Sequence, residues 1–239
     1  MRRSARRGRV VASHAGRGGT AIVRAFRRLA ARALGLGIVA FARLLTAVRG
    51  IYVGMFPDTA PRVYFANHAS NGDFVLLWAV LPPWVRARTR PVAAADYWMR
   101  SALRAFVGRE VFDAVLIERD LAARTEDPVA QMAAALDAGA SLIIFPEGRR
   151  NETDEALLPF KTGIYHLSAA RPGTELVPVW IANLNRVLPR GHVVPVPLIC
   201  TVTFGAPIRL QAGEGRDAFL ARARAALLDL APGAPEDAA

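Results

Sequence analysis

The chain has 239 residues, enough for one α/β domain with a full core and terminal appendages. Hydrophobic residues make up 53% of it and the mean hydropathy is +0.23, more apolar than an ordinary soluble domain, which points to surface that faces lipid. The single cysteine, Cys200, excludes an internal disulfide and fits a reducing compartment, and the sequence has no CxxC or Cys/His cluster of metal-ligand spacing.

The formal charge of +11 is unevenly placed. Residues 1–50 hold 12 arginines and no acid, so the remainder carries a net −1. A nucleic-acid binder would spread basic and aromatic residues over its folded body, and this body is neutral, so no nucleic-acid partner is expected. A basic arm on an apolar, neutral body suits anionic membrane lipids instead.

Residues 1–19 are rich in Arg, Gly and Ser without apolar period, and the composition predicts a disordered basic arm. Residues 20–55 read as a helical segment starting near Thr20. Wound at about 100° per residue, Arg24, Arg27, Arg28, Arg32, Arg43 and Arg49 fall within an arc of roughly 160°, which leaves Val23, Phe26, Leu34, Ile38, Phe41 and Leu45 mostly elsewhere. The longest uncharged run, Ala33–Ala42, has ten residues, short of the roughly 20 that cross a bilayer, so an amphipathic interfacial helix or helix pair broken at Gly35 and Gly37 is expected rather than a span. A core helix with solvated arginines and a cleaved transit peptide are the alternatives.

Beyond the arm, residues 56–231 alternate between short apolar, β-branched runs and helical patterns. Strands are expected at Val63–Ala66, Ala114–Ile117, Ser141–Phe145, Leu176–Ile181 and Leu198–Phe204. Helices are expected near Phe74–Val80, Asp96–Phe106, Pro128–Ala138, Gly163–Ala170 and Asp217–Leu230. The alternation predicts an α/β fold with a mixed or largely parallel sheet flanked by helices. Residues 232–239 read as a flexible tail.

Two turns carry chemistry. Asn67-His68-Ala69-Ser70-Asn71-Gly72-Asp73 follows the first of those strands. Asp73, across a Gly-containing turn, can hold the His68 imidazole in one tautomer and leave its other nitrogen free to take a proton from a hydroxyl. This is the base half of a hydrolase triad, with the nucleophile left for the substrate to supply; a turn histidine capped by Asp73 is the plain alternative. Phe145-Pro146-Glu147-Gly148-Arg149-Arg150-Asn151 follows a second strand. If the two strands are parallel, both turns open on one crevice, where guanidinium groups suit a phosphate monoester. Lys161 is the only lysine beside 30 arginines, which suggests a place where the planar fork of arginine does not serve. Cys200 sits in an apolar strand pattern, where a thiol is inert packing. His166 and His192 read as structural or surface residues, and Trp84 with Arg86, Arg88 and Arg90 reads either as a headgroup-facing cluster or as a plain surface loop.

Taken in order, NHASNGD, Ile117-Glu118-Arg119, FPEGRRN and Val177-Pro178-Val179 resemble the four motifs of the glycerolipid acyltransferases, the glycerol-3-phosphate and 1-acylglycerol-3-phosphate acyltransferases with HxxxxD and FPEGTRS patterns. The resemblance covers about residues 60–210. It implies His68 as general base with Asp73 as its orienting partner, and Arg119, Glu147 and Gly148 as acceptor-binding positions, with Arg149, Arg150 and Lys161 beside them. The chain departs from the pattern at Arg149, where the family has Thr, at Asn151, where it has Ser, and at Glu118, where Asp is frequent. The implied activity is acyl transfer from acyl-CoA or acyl-carrier protein to a lysophosphatidate-type acceptor at the cytoplasmic face of the membrane, with no metal or organic cofactor. Another lysolipid or alcohol acceptor, or a non-catalytic lipid-binding role, is the alternative.

Overall fold

The computed structural model describes residues 15–120, 122–183 and 199–233, with side chains from residue 21 onward. The expected basic arm lies outside the described residues as far as position 14, the expected tail from position 234, and His192 entirely.

Seven strands form one sheet: β1 (Arg49–Tyr52), β2 (Arg62–Ala66), β3 (Thr89–Ala94), β4 (Val115–Ile117), β5 (Ser141–Ile144), β6 (Glu175–Ala182) and β7 (Thr201–Phe204), in the order β1-β7-β6-β2-β5-β3-β4. The five strands from β6 to β4 run parallel, and β7 joins β6 antiparallel, with β1 parallel to β7. The sheet is therefore mixed and the fold α/β.

Alternation along the central strand sorts its side chains onto two cores. Tyr64 and Ala66 face one, with Leu76 and Leu77 of α2 (Asp73–Val80) and Val39 and Ala42 of α1 (Ala15–Thr46). Val63 and Phe65 face the other, with residues from three further helices: Met132 and Leu136 of α6 (Pro128–Asp137), Ile164 and Leu167 of α7 (Gly163–Ala170), and Phe219, Ala223 and Leu227 of α8 (Arg216–Leu228). The four-residue spacing of the α8 trio is one stripe of a helix. Short helices α3 (Pro83–Arg86), α4 (Ala95–Trp98) and α5 (Ala102–Phe106) lie between β2 and β4, and α5 continues as a π-turn over Val107–Val111. The single helix expected over Asp96–Phe106 is broken at Ser101, whose hydroxyl accepts from the Arg104 amide at 3.3 Å and starts a new helix.

α1 differs from the expectation in three ways. It begins by Ala15, so residues 15–19 are helical; it runs unbroken through Gly35 and Gly37; and it ends at Thr46, which places Arg49 in β1. Ala21–Thr46 has 26 residues and contains an 18-residue stretch with a mean hydropathy of 1.6, long and apolar enough to cross a membrane by length and composition alone. Counting uncharged runs had hidden this, because single arginines interrupt a stretch whose average stays apolar. Its buried stripe is made of small residues, Ala31, Gly35, Val39, Ala42 and Thr46, while Ile22, Phe26, Leu36, Phe41 and Leu44 are exposed.

Gly35 is the close approach in this packing. A Cβ there would lie 3.3 Å from Val111 and 3.5 Å from Trp78, whereas one at Gly37 would meet nothing within 4 Å. Gly35→Val is therefore expected to lower stability by about 1–3 kcal/mol through overpacking, and Gly37→Ala to raise it by about 0.5–1 kcal/mol. Denaturant titration of both variants in detergent checks the pair; equal effects would remove the close packing of α1.

Candidate active site

β2 and β5 are adjacent and parallel, with Phe65 opposite Ile144, so the turns that follow them emerge side by side at the C-terminal edge of the sheet. Asn67 prepares the first turn. Its side chain accepts from the Ile181 amide at 2.7 Å and donates to the Ile181 carbonyl at 3.0 Å, tying the exit of β2 to β6. Nothing in the apolar pattern marked this residue, and only the pairing geometry reveals it.

His68 Nδ1 lies 2.9 Å from Asp73 Oδ2. The same oxygen accepts from the amides of Ala69 at 2.7 Å and Ser70 at 2.8 Å, and Asp73 is 1% exposed. A carboxylate oxygen is an acceptor, so the proton of this pair sits on Nδ1 and Nε2 carries the lone pair. The imidazole also stacks on Phe145, with ring centres 4.3 Å apart and planes 21° from parallel, which fixes its tilt from the other side.

Glu147, expected among the acceptor-binding residues, is turned away from the groove. It is 2% exposed and does not line the groove; Oε1 accepts the His68 amide at 2.7 Å and Oε2 the Leu158 amide at 2.9 Å. Burial pushes its carboxyl above the usual range, and the Leu158 and His68 amides pull it part of the way back. Gly148 turns the chain at φ +70°, and a Cβ there would stand 3.0 Å from Lys161 Cγ. Its lack of a side chain lets Lys161 cross the turn.

His68, Arg119, Gly148, Arg149, Arg150 and Lys161 line one groove of about 1190 Å³. Both cores contribute apolar wall: Ile38, Phe74 and Trp98 on one side, Met132 and Ile164 on the other. The cations differ in state. Arg119 is held by Asp96 through Nε at 3.0 Å and Nη2 at 2.6 Å, and Arg150 lies 3.3 Å from Glu152. No ion pair among the described residues engages Arg149 or Lys161. Sequence reasoning missed Asp96, whose carboxyl the Arg119 guanidinium holds below the usual range. Cys200 is fully buried and burial pushes its thiol up to about 11, which suits inert packing, and His166 is exposed on α7.

Comparisons with known proteins establish the family. A profile of the Acyltransferase family matches residues 51–182, more than half of the chain. The chain belongs to the Acyltransferase family. Among its relatives, the 1-acyl-sn-glycerol-3-phosphate acyltransferase of Salmonella typhimurium is 30% identical over 130 residues, covering 52% of this chain and 47% of the relative. The Escherichia coli K12 protein of that name is 29% identical over 138 residues (52% and 51%), and that of Cocos nucifera 27% over 154 (64% and 47%). The chain thus spans about half the length of the curated relatives it matches. The crystal structure of the 1-acyl-sn-glycerophosphate acyltransferase PlsC from Thermotoga maritima has the same fold, with a TM-score of 0.63 at 18% identity over 89% of this chain and 86% of that one.

In this family member the Glu147 clasp invites a direct test. Glutamine keeps one acceptor oxygen and turns an NH₂ toward the other amide, so Glu147→Gln is expected to cost about 1–3 kcal/mol of stability and to lower turnover with it. Unchanged stability in a denaturant titration would show that the buried carboxylate does not hold the two turns together.

Proposed function

We propose that the chain transfers a fatty acyl group from a thioester to the free hydroxyl of 1-acylglycerol-3-phosphate, giving phosphatidate, with His68 as general base. The observation that carries this reading is the position of His68. Its Nδ1 is spent on Asp73, and it lines the same groove as the apolar wall residues and the cations Arg149 and Lys161.

The chemistry follows from that arrangement. Nε2 takes the acceptor's hydroxyl proton as the oxygen attacks the thioester carbonyl, and Asp73 stabilises the imidazolium that forms. The carbon–oxygen bond closes, the carbon–sulfur bond breaks, and the imidazolium returns its proton to the departing thiolate. No acyl-enzyme forms, and the reaction so written calls on no metal or organic cofactor. Acyl-CoA and acyl-carrier protein present the same thioester, and either serves as donor. The apolar walls suit the fatty chains, and Arg149 and Lys161, free of ion pairs among the described residues, suit the acceptor's phosphate. The names of the relatives support the same acceptor. The exposed apolar face of α1 and its arginines support work at an anionic membrane surface, on the cytoplasmic side.

Two substitutions test the assignment in mixed micelles with oleoyl-CoA and 1-acylglycerol-3-phosphate. His68→Ala is expected to reduce turnover about 10²–10⁴-fold, the usual contribution of a positioned base, and retained activity would remove His68 from that role. Arg149→Thr is expected to raise the acceptor KM about tenfold, as loss of one charge-assisted hydrogen bond does, with the donor KM unchanged. The reverse split would move Arg149 to the donor side.

A further inference from the structure

Outside the groove, two arginines from different elements converge on one carbonyl. Arg43 Nη2 of α1 donates to Ala79 O at 2.9 Å, and Arg86 Nη1 of α3 donates to the same oxygen at 3.3 Å. Neither residue, nor Ala79, lines the groove. Ala79 is in the last turn of α2, where carbonyls lack helical partners and cations are favoured, so one arginine there is ordinary capping. Two guanidinium groups sharing one neutral oxygen are not: the pair repels, and no acid among the described residues is bonded to either. The lowered pKa of Arg86, from burial first and from Arg43 second, agrees with that crowding.

The arrangement is built rather than incidental. The Arg86 guanidinium lies 5.3 Å from the centre of the Trp78 ring, and Trp78 is 8% exposed. Each guanidinium has five N–H donors and uses one of them on Ala79. The surroundings combine positive charge with exposed apolar surface. Residues 15–57 and 74–95, which hold α1 and α3, contain no Asp or Glu. Leu44 beside Arg43 is 87% exposed, and Trp84, in the same short helix as Arg86, is 59% exposed.

We infer that Arg43 and Arg86 form a binding site for the phosphate of an anionic phospholipid headgroup, separate from the catalytic groove. Two guanidinium groups bridge one phosphate through paired hydrogen bonds, while Trp84 and Leu44 enter the boundary between headgroups and acyl chains. The inference rests on the membrane-surface reading of the protein and adds to it a defined lipid contact at the C-terminal end of α2.

Flotation of the full chain with phosphatidylcholine vesicles, with and without phosphatidylglycerol, tests both levels. The parent should bind the anionic vesicles more tightly. Arg43→Gln with Arg86→Gln should weaken that preference about 10- to 30-fold, the effect of losing two basic contacts to an anionic surface. An equal change of charge on the far helix, Arg216→Gln with Arg222→Gln, should leave it within about twofold. Arg43→Lys with Arg86→Lys keeps the charge and the helix-end cations but not the planar forks, and should recover only part of the loss. This lysine pair also decides the matter if the glutamine pair does not fold.

Full recovery by lysine, or unchanged binding by the glutamine pair, would overturn the built site in favour of a diffuse field. A site that instead raises the unfolding temperature with inorganic phosphate, through the same two arginines and without any effect on vesicles, would overturn the lipid assignment. A parent that ignores vesicles of both compositions would overturn the membrane reading itself.

Discussion

The amide of His68 lies two residues beyond the end of β2, where the ladder no longer supplies a partner, and a buried amide without one is costly. The partner is the carboxylate of Glu147, from the turn after the neighbouring strand. The bond does more than satisfy one donor. The other oxygen of Glu147 takes the Leu158 amide, the His68 carbonyl accepts the Asn151 amide at 2.6 Å, and the Pro146 carbonyl accepts the Lys161 amide at 2.7 Å. These bonds make one rigid body of the histidine turn, the FPEGRRN turn and the segment leading to Lys161. The proposed base and the groove cations of these turns therefore keep their spacing through backbone bonds, which leaves the side chains of His68, Arg149 and Lys161 directed by the turns that carry them. An acid suits this turn because a carboxylate presents a separate oxygen to each of the two amides.

α1 ties that rigid body to the proposed membrane surface. Its small-residue stripe packs on α2 and the π-turn, its Leu34, Ile38, Phe41 and Leu45 line the groove, and Ile22, Val23, Phe26, Leu29, Leu36 and Leu44 are exposed. One helix is thus core, groove wall and outer surface together, which accounts for part of the chain's apolar composition. It also makes the helix inseparable from the fold, since removing it would uncover Leu76, Trp78 and Val111.

Much of this was legible in the sequence because it depends on local periodicity. β2, β5 and β6 are buried on both faces and read as short apolar runs, and α7 matches its expected bounds of Gly163–Ala170. The pairing of His68 with Asp73 and the shared crevice followed from two strand ends of one kind. β1 was missed because it is an edge strand with three exposed residues that continues the arginine period of α1. β3 was missed because Arg90-Pro91 reads as a break. The structure tolerates that proline because the strand changes partners there: Thr89, Arg90 and Pro91 pair with β5, and Val92, Ala93 and Ala94 with β4. The inward turn of Glu147 was not legible, since in a tight turn one residue of offset decides between core and groove, and no periodicity sets it.

Charge shows the same limit in a form that bears on specificity. A count of the motif residues places four cations at the groove, yet the structure neutralises Arg119 with Asp96 and sets Arg150 beside Glu152. The field a phosphate meets is then dominated by Arg149 and Lys161. Lys161 is the chain's only lysine, and Arg149 stands where the family pattern has a hydroxyl. Lys161 is thus the exception in this chain's own use of cations and Arg149 a departure from the family pattern, and in the proposed reaction these two would weigh most on acceptor choice. Asp96 enters that choice as well. A guanidinium already paired through two of its nitrogens presents its remaining donor edge to a ligand, so the carboxylate orients Arg119 while lowering the charge it offers. Binding at such a rim favours a ligand whose oxygens reach several directed donors at once over one that merely carries more negative charge.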